Sequence, residues 1–359
     1  MKPHTKEKIA VYEAYLTHYL FVMCNSDQWD RIAVWEPFAG EGVYDGGEKG
    51  SAMVAVETIK EFREKYNKKD IRLFLNELDD EKHRRLEKSM DKYLDFVKTF
   101  NADAKKFLDG MSHFLAGKRN LHSLVFIDPY GYTQYSKDNL VRLFSLRNID
   151  YLIFMPTYHI YRFKDDKDNK DDKDKPARRF LLNLGMSESE LSKSKKHTFA
   201  DKLIKILKEM AQTEYGYSYE LENRNVANTH YHLFFITKHR TGAEKFLKAK
   251  NDIKNKLEQQ LTFSDFNNAQ INQYLSELLK KQGPISNTEL SEEIVKKGFL
   301  PPDVRPVLQE MEIEGKLEII PKQKRTPGAF YLTEYKDRNK YKDKITISLK
   351  KNRNPTLFL

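Results

Sequence analysis

Four short segments of this sequence carry acidic or glycine-rich markers that could together form one ligand site. Each follows an apolar run typical of a buried strand: Glu36–Gly42 (EPFAGEG), Glu77 in FLNELDD, Asp103 in NADA, and Asp128–Gly131 (DPYG). In open α/β sheets, ligands bind at the carboxyl ends of the strands, where the strand order switches. The four markers therefore predict a single binding site at one edge of a sheet.

The glycines after the first predicted strand fit S-adenosylmethionine better than a dinucleotide. A nicotinamide site needs G-x-G-x-x-G leading directly into a helix whose N-terminus faces a pyrophosphate. Here Gly40 and Gly42 are present, but Asp45 stands at the third glycine position, and five residues more precede the helix start at Ser51. S-adenosylmethionine carries no phosphate and does not need that helix N-terminus. The extra glycines between 46 and 50 predict a longer lip over the site.

The acidic markers suit the polar parts of the same cofactor. Glu77 would accept hydrogen bonds from the two ribose hydroxyls, and Asp103 would accept one from the adenine amino group. Taken singly, either acid is also typical of a solvated βα loop, whereas the set favours the cofactor. We assign to cofactor binding Glu36, Phe38, Gly40, Gly42, Glu77, Asp103 and Asp128.

Strands and helices alternate through the first 262 residues, which predicts a mostly parallel sheet with helical crossovers. An amphipathic helix over 6–23 precedes the first strand. The strands predicted at 217–223 and 229–239 are separated by a short connection, which is typical of an antiparallel hairpin at a sheet edge. The predicted fold class is α/β, a Rossmann-like domain over 1–262 with a charged surface insertion at about 163–178.

The segment 263–335 predicts a second domain. Three short helices with Gly or Pro breaks are followed by a predicted β-hairpin over 317–334, and this pattern is typical of a winged helix. The third helix is acidic and would be repelled by phosphates, whereas the wing and the tail over 336–359 are basic. We therefore predict nucleic-acid contact by Lys322, Lys324, Arg325, Lys350 and Lys351.

The motifs EPFAGEGVY…GG…GSA and FIDPYG resemble those of the class I methyltransferase superfamily. Within it, the chain resembles the three-Cys-motif partner protein family over most of residues 5–335. That family shares an N-terminal helix, a [DE]-x-F-[AS]-G-x-G-x-Y loop, a delayed G-S helix start and an I-D-P-[FY]-G strand end. The resemblance implies a class I methyltransferase sheet, S-adenosylmethionine as cofactor, a separate partner with a three-cysteine motif similar to radical S-adenosylmethionine enzymes, and a frequent link to phage.

The segment after the fourth strand is where a methyl acceptor would bind. It occupies the place of the [DNS]-P-P-[YF] motif, in which amino-methyltransferases hold a target amine and stack a flipped base. Here the second proline is absent and the aromatic residue stands one place earlier. His159, after the fifth strand, could act as a base or be a hydrogen-bonded structural histidine. The catalytic candidates are Asp128, Pro129, Tyr130 and His159.

Composition limits the remaining possibilities. The single cysteine, Cys24, excludes an internal disulfide and a cysteine-cluster metal site within the 359 residues. A cytosine-C5 methyltransferase is disfavoured, because its nucleophilic cysteine would follow the fourth strand. No apolar run approaches the ~18–20 residues of a membrane span, and the first residues lack the apolar region of a secretory signal, so we expect a cytoplasmic protein. The net charge of +10 makes nucleic acid a plausible partner.

Two functions from different classes follow from these patterns. The first is S-adenosylmethionine-dependent methyl transfer to a nucleic acid or nucleotide, beside the three-cysteine-motif partner. The second is a non-catalytic adaptor that docks this partner onto nucleic acid through the winged helix and the basic tail. A repressor-like binder is disfavoured by the acidic third helix.

Overall fold

A computed structural model describes residues 1–129, 131, 137–162, 176–221, 231–257, 264–322 and 324–350. The chain divides into two compact units, Met1–Ile253 and Lys254–Leu359. Residues 163–175 of the predicted charged insertion lie outside the described residues. The connection 224–228 of the predicted edge hairpin also lies outside them. In the part of the chain that is described, no helix is long and apolar enough to cross a membrane.

The first unit alternates strands with helices, as the sequence predicts. Its strands are β1 (Arg31–Glu36), β2 (Asp70–Asn76), β3 (Val97–Phe100), β4 (Leu121–Ile127), β5 (Ile149–Met155), β6 (Tyr215–Leu221) and β7 (Tyr231–Thr237). Its helices are α1 (Pro3–Cys24), α2 (Ser51–Lys65), α3 (Asp80–Met90), α4 (Ala104–Leu115), α5 (Lys137–Ser145), α6 (Thr157–Arg162), α7 (Pro176–Leu184), α8 (Glu188–Lys193), α9 (Phe199–Ala211) and α10 (Arg240–Leu257).

These strands form one sheet in the order β3-β2-β1-β4-β5-β7-β6. Strands β1 to β5 pair in parallel, and β7 pairs antiparallel with both β5 and β6. The order therefore switches between β1 and β4, and in open α/β sheets ligands bind at the carboxyl edge beside such a switch. The predicted fold class, an α/β Rossmann-like sheet of the class I methyltransferase type with an antiparallel edge hairpin, is confirmed.

Both faces of the sheet are covered. Every residue of β4 and β5 is buried, as expected for central parallel strands with helices on each side. On one face, Trp35, Val125 and Ile153 belong to a core that includes residues of α4, α5 and α9. On the other face α1 lies against the sheet, and the Tyr12 ring stacks on Phe126 with 4.3 Å between ring centroids.

Helix α1 buries polar side chains as well as apolar ones. Three tyrosine hydroxyls on one of its faces make hydrogen bonds with buried polar groups of three strands. These pairs are Tyr12 with Glu36 of β1 (2.9 Å), Tyr15 with Asp150 of β5 (2.7 Å) and Tyr19 with His122 of β4 (3.2 Å). The predicted helix is thus confirmed, and these contacts fix its position on the sheet.

The second unit contains α11 (Ser264–Gln282), α12 (Asn287–Lys297) and α13 (Pro301–Ile313), with β8 (Ile285–Ser286), β9 (Leu317–Pro321) and β10 (Ile345–Leu349). The strands form an antiparallel sheet in the order β8-β10-β9. The predicted hairpin within 317–334 is wrong, because β9 pairs with β10, which lies inside the predicted basic tail. Side chains of 329–334 still enter the core, since Phe330 and Leu332 are buried without strand pairing. The winged-helix assignment stays a prediction.

Candidate active site

The acidic markers lie at one edge of the sheet. Glu36 ends β1, Glu77 follows β2 directly, Asp103 stands three residues after β3, and Asp128 follows β4 directly. Because β1 to β4 run parallel, these four residues all belong to the carboxyl edge, beside the switch between β1 and β4.

The glycine loop after β1 is held against the acid that follows β2. The backbone N–H of Gly40 donates to Oε2 of Glu77 over 3.0 Å. Gly40 and Gly42 have φ of 67° and 79°, in the left-handed region that glycine adopts without strain. A Cβ on Gly42 would lie 3.4 Å from side-chain atoms of Leu86 and Ser89, so the loop packs closely on α3.

The rest of the glycine-rich segment is a small hairpin rather than an open lip. Val43 and Lys49 form an antiparallel bridge, and the Gly50 N–H donates to the Gly42 carbonyl over 2.7 Å. Arg85 of α3 donates to Glu41 over 2.9 Å and to Asp45 over 2.8 Å, which ties the first arm and the turn of the hairpin to that helix. The extra glycines therefore serve a tight turn ahead of α2.

Asn76 joins three loops of this edge and was not predicted as a site residue. Its amide donates to the Pro37 carbonyl over 3.1 Å and to the Ala102 carbonyl over 3.0 Å. Its side-chain oxygen accepts from the Ala102 N–H over 3.2 Å. A buried amide with three satisfied hydrogen bonds fixes the relative positions of the loops after β1, β2 and β3. The only sequence signal was its position, at the end of β2 and beside Glu77.

Glu77 and Asp103, the predicted ribose and adenine contacts, both accept hydrogen bonds from the protein itself. Glu77 is 4% exposed and accepts the N–H of Gly40 on one oxygen and the N–H of Asp79 on the other, over 2.9 Å. Asp103 is exposed and caps α4 by accepting the N–H of Lys105 over 3.0 Å. Each carboxylate oxygen has two lone pairs, so both side chains can accept further hydrogen bonds.

Glu36, predicted to lie at the mouth of the glycine loop, is 1% exposed. It accepts hydrogen bonds from Tyr12 over 2.9 Å and from Ser51 over 2.6 Å. Burial and, to a smaller extent, the nearby charge of Asp128 raise the pKa of Glu36 to about 7, against the opposing effects of the two hydroxyls and Lys8. Glu36 and Asp128 are therefore electrostatic neighbours across the switch point.

Asp128 forms an ion pair that the sequence analysis did not anticipate. Its Oδ2 accepts from Nζ of Lys8, on α1. The Lys8 side chain is 8% exposed and that of Asp128 20% exposed. The Lys8 Nζ also lies 4.4 Å from the ring centroid of Phe154, near the end of β5. The predicted catalytic carboxylate is thus paired with a buried cation.

The remaining catalytic candidates have different surroundings. Pro129 is buried, Tyr130 lies outside the described residues, and His159 is exposed on α6. The His159 ring lies 6.3 Å from that of Tyr231, which stacks on His4 of α1 at 4.2 Å. Aromatic rings and imidazoles therefore gather where β5, β7 and the start of α1 meet. Burial, with the charges of Lys8 and Lys2, lowers the pKa of His4.

Two further side chains of the first unit occupy apolar surroundings. Phe38 is half-buried and packs on the core that holds Trp35. Burial raises the pKa of the Cys24 thiol to about 11, so this residue is a neutral thiol at the end of α1. Among the described residues, no group of three or more His, Cys, Asp or Glu side chains could hold a metal ion.

The predicted nucleic-acid residues lie in the second unit and differ in what they contact. Arg325 contacts another residue of the same unit: it donates two hydrogen bonds of 2.8 Å to the carboxylate of Glu312 on α13. These hydrogen bonds lower the pKa of Glu312. Lys322, Lys324 and Lys350 have exposed side chains. Lys351 lies outside the described residues.

The comparisons with known proteins add structural similarity only. No family model and no curated protein matches the chain. Similar solved structures include the Methanococcus jannaschii fibrillarin pre-rRNA processing protein (TM-score 0.32, 10% identity, 59% of this chain and 69% of that chain). Others are the DszA carbon methyltransferase (0.31, 10%, 58% and 47%) and the SAH-bound Podospora anserina methyltransferase PaMTH1 (0.27, 12%, 63% and 86%). These scores transfer no ligand or activity to this chain, and the fold rests on its strand order.

Proposed function

We propose that this chain binds S-adenosylmethionine at the carboxyl edge of the large sheet and transfers its methyl group. The observation that carries this proposal is the hydrogen bond from the Gly40 N–H to Glu77, which joins the loops after β1 and β2 beside the switch between β1 and β4. It joins a two-glycine loop without side-chain bulk to a carboxylate that can accept from a ribose, in the crevice where this fold class holds its ligands. When bound, the cofactor supplies an electrophilic methyl group on a sulfonium.

The residues of this edge fit the cofactor by charge and hydrogen-bonding type. Glu77 keeps lone pairs for hydroxyl donors, and the exposed Asp103 can accept from an amino group. Glu36 and Asp128 favour a cation nearby, which agrees with a sulfonium and an α-ammonium. Asn76 would hold the three loops in place around the ligand.

For the acceptor, we propose a nucleic acid or a nucleotide. Asp128 offers a carboxylate to an amino group, and the ring of His159 lies 5.7 Å from that of Tyr158 and 6.3 Å from that of Tyr231 along the same edge. The exposed lysines of the second unit, Lys322 and Lys324, would contact phosphates. We also propose a three-cysteine-motif protein as partner, which only the resemblance of the motif residues to the corresponding family implies.

This proposal is tested by following methyl groups from a labelled cofactor. The purified chain is incubated with S-adenosylmethionine labelled in the methyl group and with total nucleic acid, with and without the three-cysteine-motif protein. Label in the nucleic acid that is lost in Asp128→Ala supports the proposal. Cofactor binding with no transfer to nucleic acid in either condition would count against this acceptor.

A second candidate function is favoured because the acidic side chains of the site already have partners within the protein. Asp128 is paired with Lys8, and both oxygens of Glu36 accept protein hydroxyls, as would suit a non-catalytic adaptor for the partner. In that case, partner activity on nucleic acid would survive Asp128→Ala and would fall in the double variant Lys322→Glu/Lys324→Glu. The opposite pattern identifies the enzyme.

A further inference from the structure

Lys8 is a buried cation in the middle of the candidate site. Lysine is among the residues least often buried, because removing an ammonium group from water is costly unless it is paired. Two contacts of Nζ of Lys8 offset this cost. One is with the carboxylate of Asp128, after β4, and the other is with the ring face of Phe154, on β5. Strands β4 and β5 are neighbours in the sheet, so the two contacts form one small cation-binding place.

Anchoring of α1 does not explain this arrangement. Tyr12, Tyr15 and Tyr19 of the same helix already hydrogen-bond to β1, β5 and β4, along the buried length of α1. Lys8 differs from these tyrosines because its partner, Asp128, is the carboxylate that was predicted to be catalytic. The contact is thus better explained by what Asp128 binds than by how α1 is held.

The surroundings of Nζ are those that an amine acceptor requires. A carboxylate accepts the hydrogens of an amino group, and an aromatic face stabilises the positive charge that nitrogen gains on methylation. We propose that the methyl acceptor of this site is an amino group, and that Lys8 Nζ holds its place between Asp128 and Phe154 until the acceptor binds. This inference rests on the proposed methyl transfer.

The lysine can leave without movement of the helix, since its four-carbon stem is flexible. An aliphatic acceptor enters as an ammonium and first loses one proton to solvent, whereas a neutral base amino group loses one proton as it is methylated. In both cases the nitrogen lone pair forms the new N–CH₃ bond. The electrons of the broken S–CH₃ bond return to the sulfur, which becomes a neutral thioether. The product ammonium lies where the Lys8 ammonium lay, beside Asp128.

The first measurement probes the cation-binding place without any cofactor. Lys8→Ala removes three methylenes and the ammonium group, which n-propylammonium replaces atom for atom. We expect this ion to raise the Tm of Lys8→Ala by about 2–4 °C, the size of shift that moderate ligand binding gives. It should not raise the Tm of Lys8→Ala/Asp128→Asn or of the control Lys6→Ala, and 1-propanol should have no effect. An equal rise in the Asp128→Asn double variant overturns the proposal.

The second measurement adds S-adenosylmethionine. If Lys8 occupies the site for most of the time, its removal raises the apparent affinity for an acceptor by about tenfold or more. We therefore expect Lys8→Ala to methylate n-propylamine, or the base amino groups of a mixed oligonucleotide, faster than the wild type. Comparison of the two acceptors shows whether the site takes an aliphatic amine or the amino group of a base. Lys8→Met, which fills the same volume, should not methylate n-propylamine. Cofactor binding without transfer to either amine in Lys8→Ala overturns the proposal.

Two controls separate the possible failures. Calorimetry with S-adenosylmethionine on the same preparations tests the proposed function alone, while the thermal measurement tests ammonium binding alone. If Lys8→Ala does not fold, the wild type decides the question. Because Nζ of Lys8 lies where the acceptor amine would bind, we expect slow methylation of Lys8 itself. Mass spectrometry would detect it as one added methyl group on the peptide that contains Lys8. Its absence after prolonged incubation with bound cofactor would overturn the proposal.

Discussion

Tyr12 of α1 donates a hydrogen bond of 2.9 Å to Glu36, the last residue of β1, and this contact joins the N-terminal helix to the candidate site. Ser51, the first residue of α2, donates to the other oxygen of the same carboxyl group over 2.6 Å. The carboxyl group is almost inaccessible to water. Glu36 thus connects the helix that carries Lys8 with the helix that follows the glycine hairpin.

The first prediction separates this site contact from ordinary anchoring of α1. Tyr12→Phe and Tyr15→Phe each remove one hydroxyl donor to a buried carboxyl group, Glu36 or Asp150. Both should lower the free energy of unfolding by about 1.5–3 kcal/mol, measured in denaturant at pH 8. Only Tyr12→Phe should also weaken cofactor binding in calorimetry. Equal weakening by Tyr15→Phe would show that α1 acts only through stability.

The second prediction is a pH dependence that Glu36 causes. Its pKa is about 7 in the folded chain, against 4.5 ordinarily. Between these pH values the folded chain holds a proton on Glu36 that the unfolded chain has released, and this proton adds to the free energy of unfolding. The added stability is full below pH 4.5 and is lost as pH rises through 7. It amounts to about 3 kcal/mol. Buried His122, whose pKa is lowered to about 4, changes stability in the opposite direction.

Unfolding of the wild type and Glu36→Gln at pH 5 and pH 8 isolates the contribution of Glu36. The wild type should lose about 2.5 kcal/mol more than Glu36→Gln between the two values, because the amide does not titrate. Parallel behaviour of the two proteins would contradict the assignment of the raised pKa to this residue.

The third prediction concerns Asn76. Its side chain makes hydrogen bonds of 3.0–3.2 Å with Pro37 and Ala102, and Asn76→Ala would leave those buried backbone groups unpaired. We expect a loss of about 2–4 kcal/mol in the free energy of unfolding and weaker cofactor binding. Asn101→Ala is the matched control, since its amide also donates to two carbonyls but is exposed. A smaller loss for Asn76→Ala than for Asn101→Ala would contradict the loop-joining role.

The fourth prediction distinguishes structural from phosphate-binding cations in the second unit. Arg325→Ala breaks the two hydrogen bonds to Glu312 and should lower the Tm. Lys322→Ala and Lys324→Ala should leave the Tm unchanged and reduce the slope of log Kd against log salt by about 0.9 each on duplex DNA. Fluorescence anisotropy with a labelled duplex measures these slopes. An unchanged slope in both lysine variants would remove the second unit as a phosphate-binding surface.

The sequence predicted the large sheet well because its strands are apolar runs that end in acidic or glycine markers. Glu36, Gly40, Gly42, Glu77, Asp103 and Asp128 could all be placed at one edge for that reason. The partners of these residues were not predictable. Lys8 and Asp128 are 120 residues apart in the chain, and only packing of α1 on the sheet brings them together.

Charge patterning was misleading in the second unit. The alternation of Ile345, Ile347 and Leu349 is typical of a strand, but because of the lysine-rich flanks this segment was predicted to be a basic tail. Arg325 looked like a phosphate contact because the sequence does not show that Glu312, one helix earlier, lies opposite it. Burial and pairing across a sheet or helix decide such cases, and neither is visible in local composition.

Calorimetry with S-adenosylmethionine tests the central proposal most directly. The wild type and the control Glu81→Ala, a change at an exposed carboxylate of α3, should both bind the cofactor. Glu77→Ala should show no binding while its melting curve demonstrates that it is still folded, since the Gly40 loop loses its acceptor and the ribose loses its carboxylate. No heat of binding by the wild type, even with the three-cysteine-motif protein present, would contradict the account.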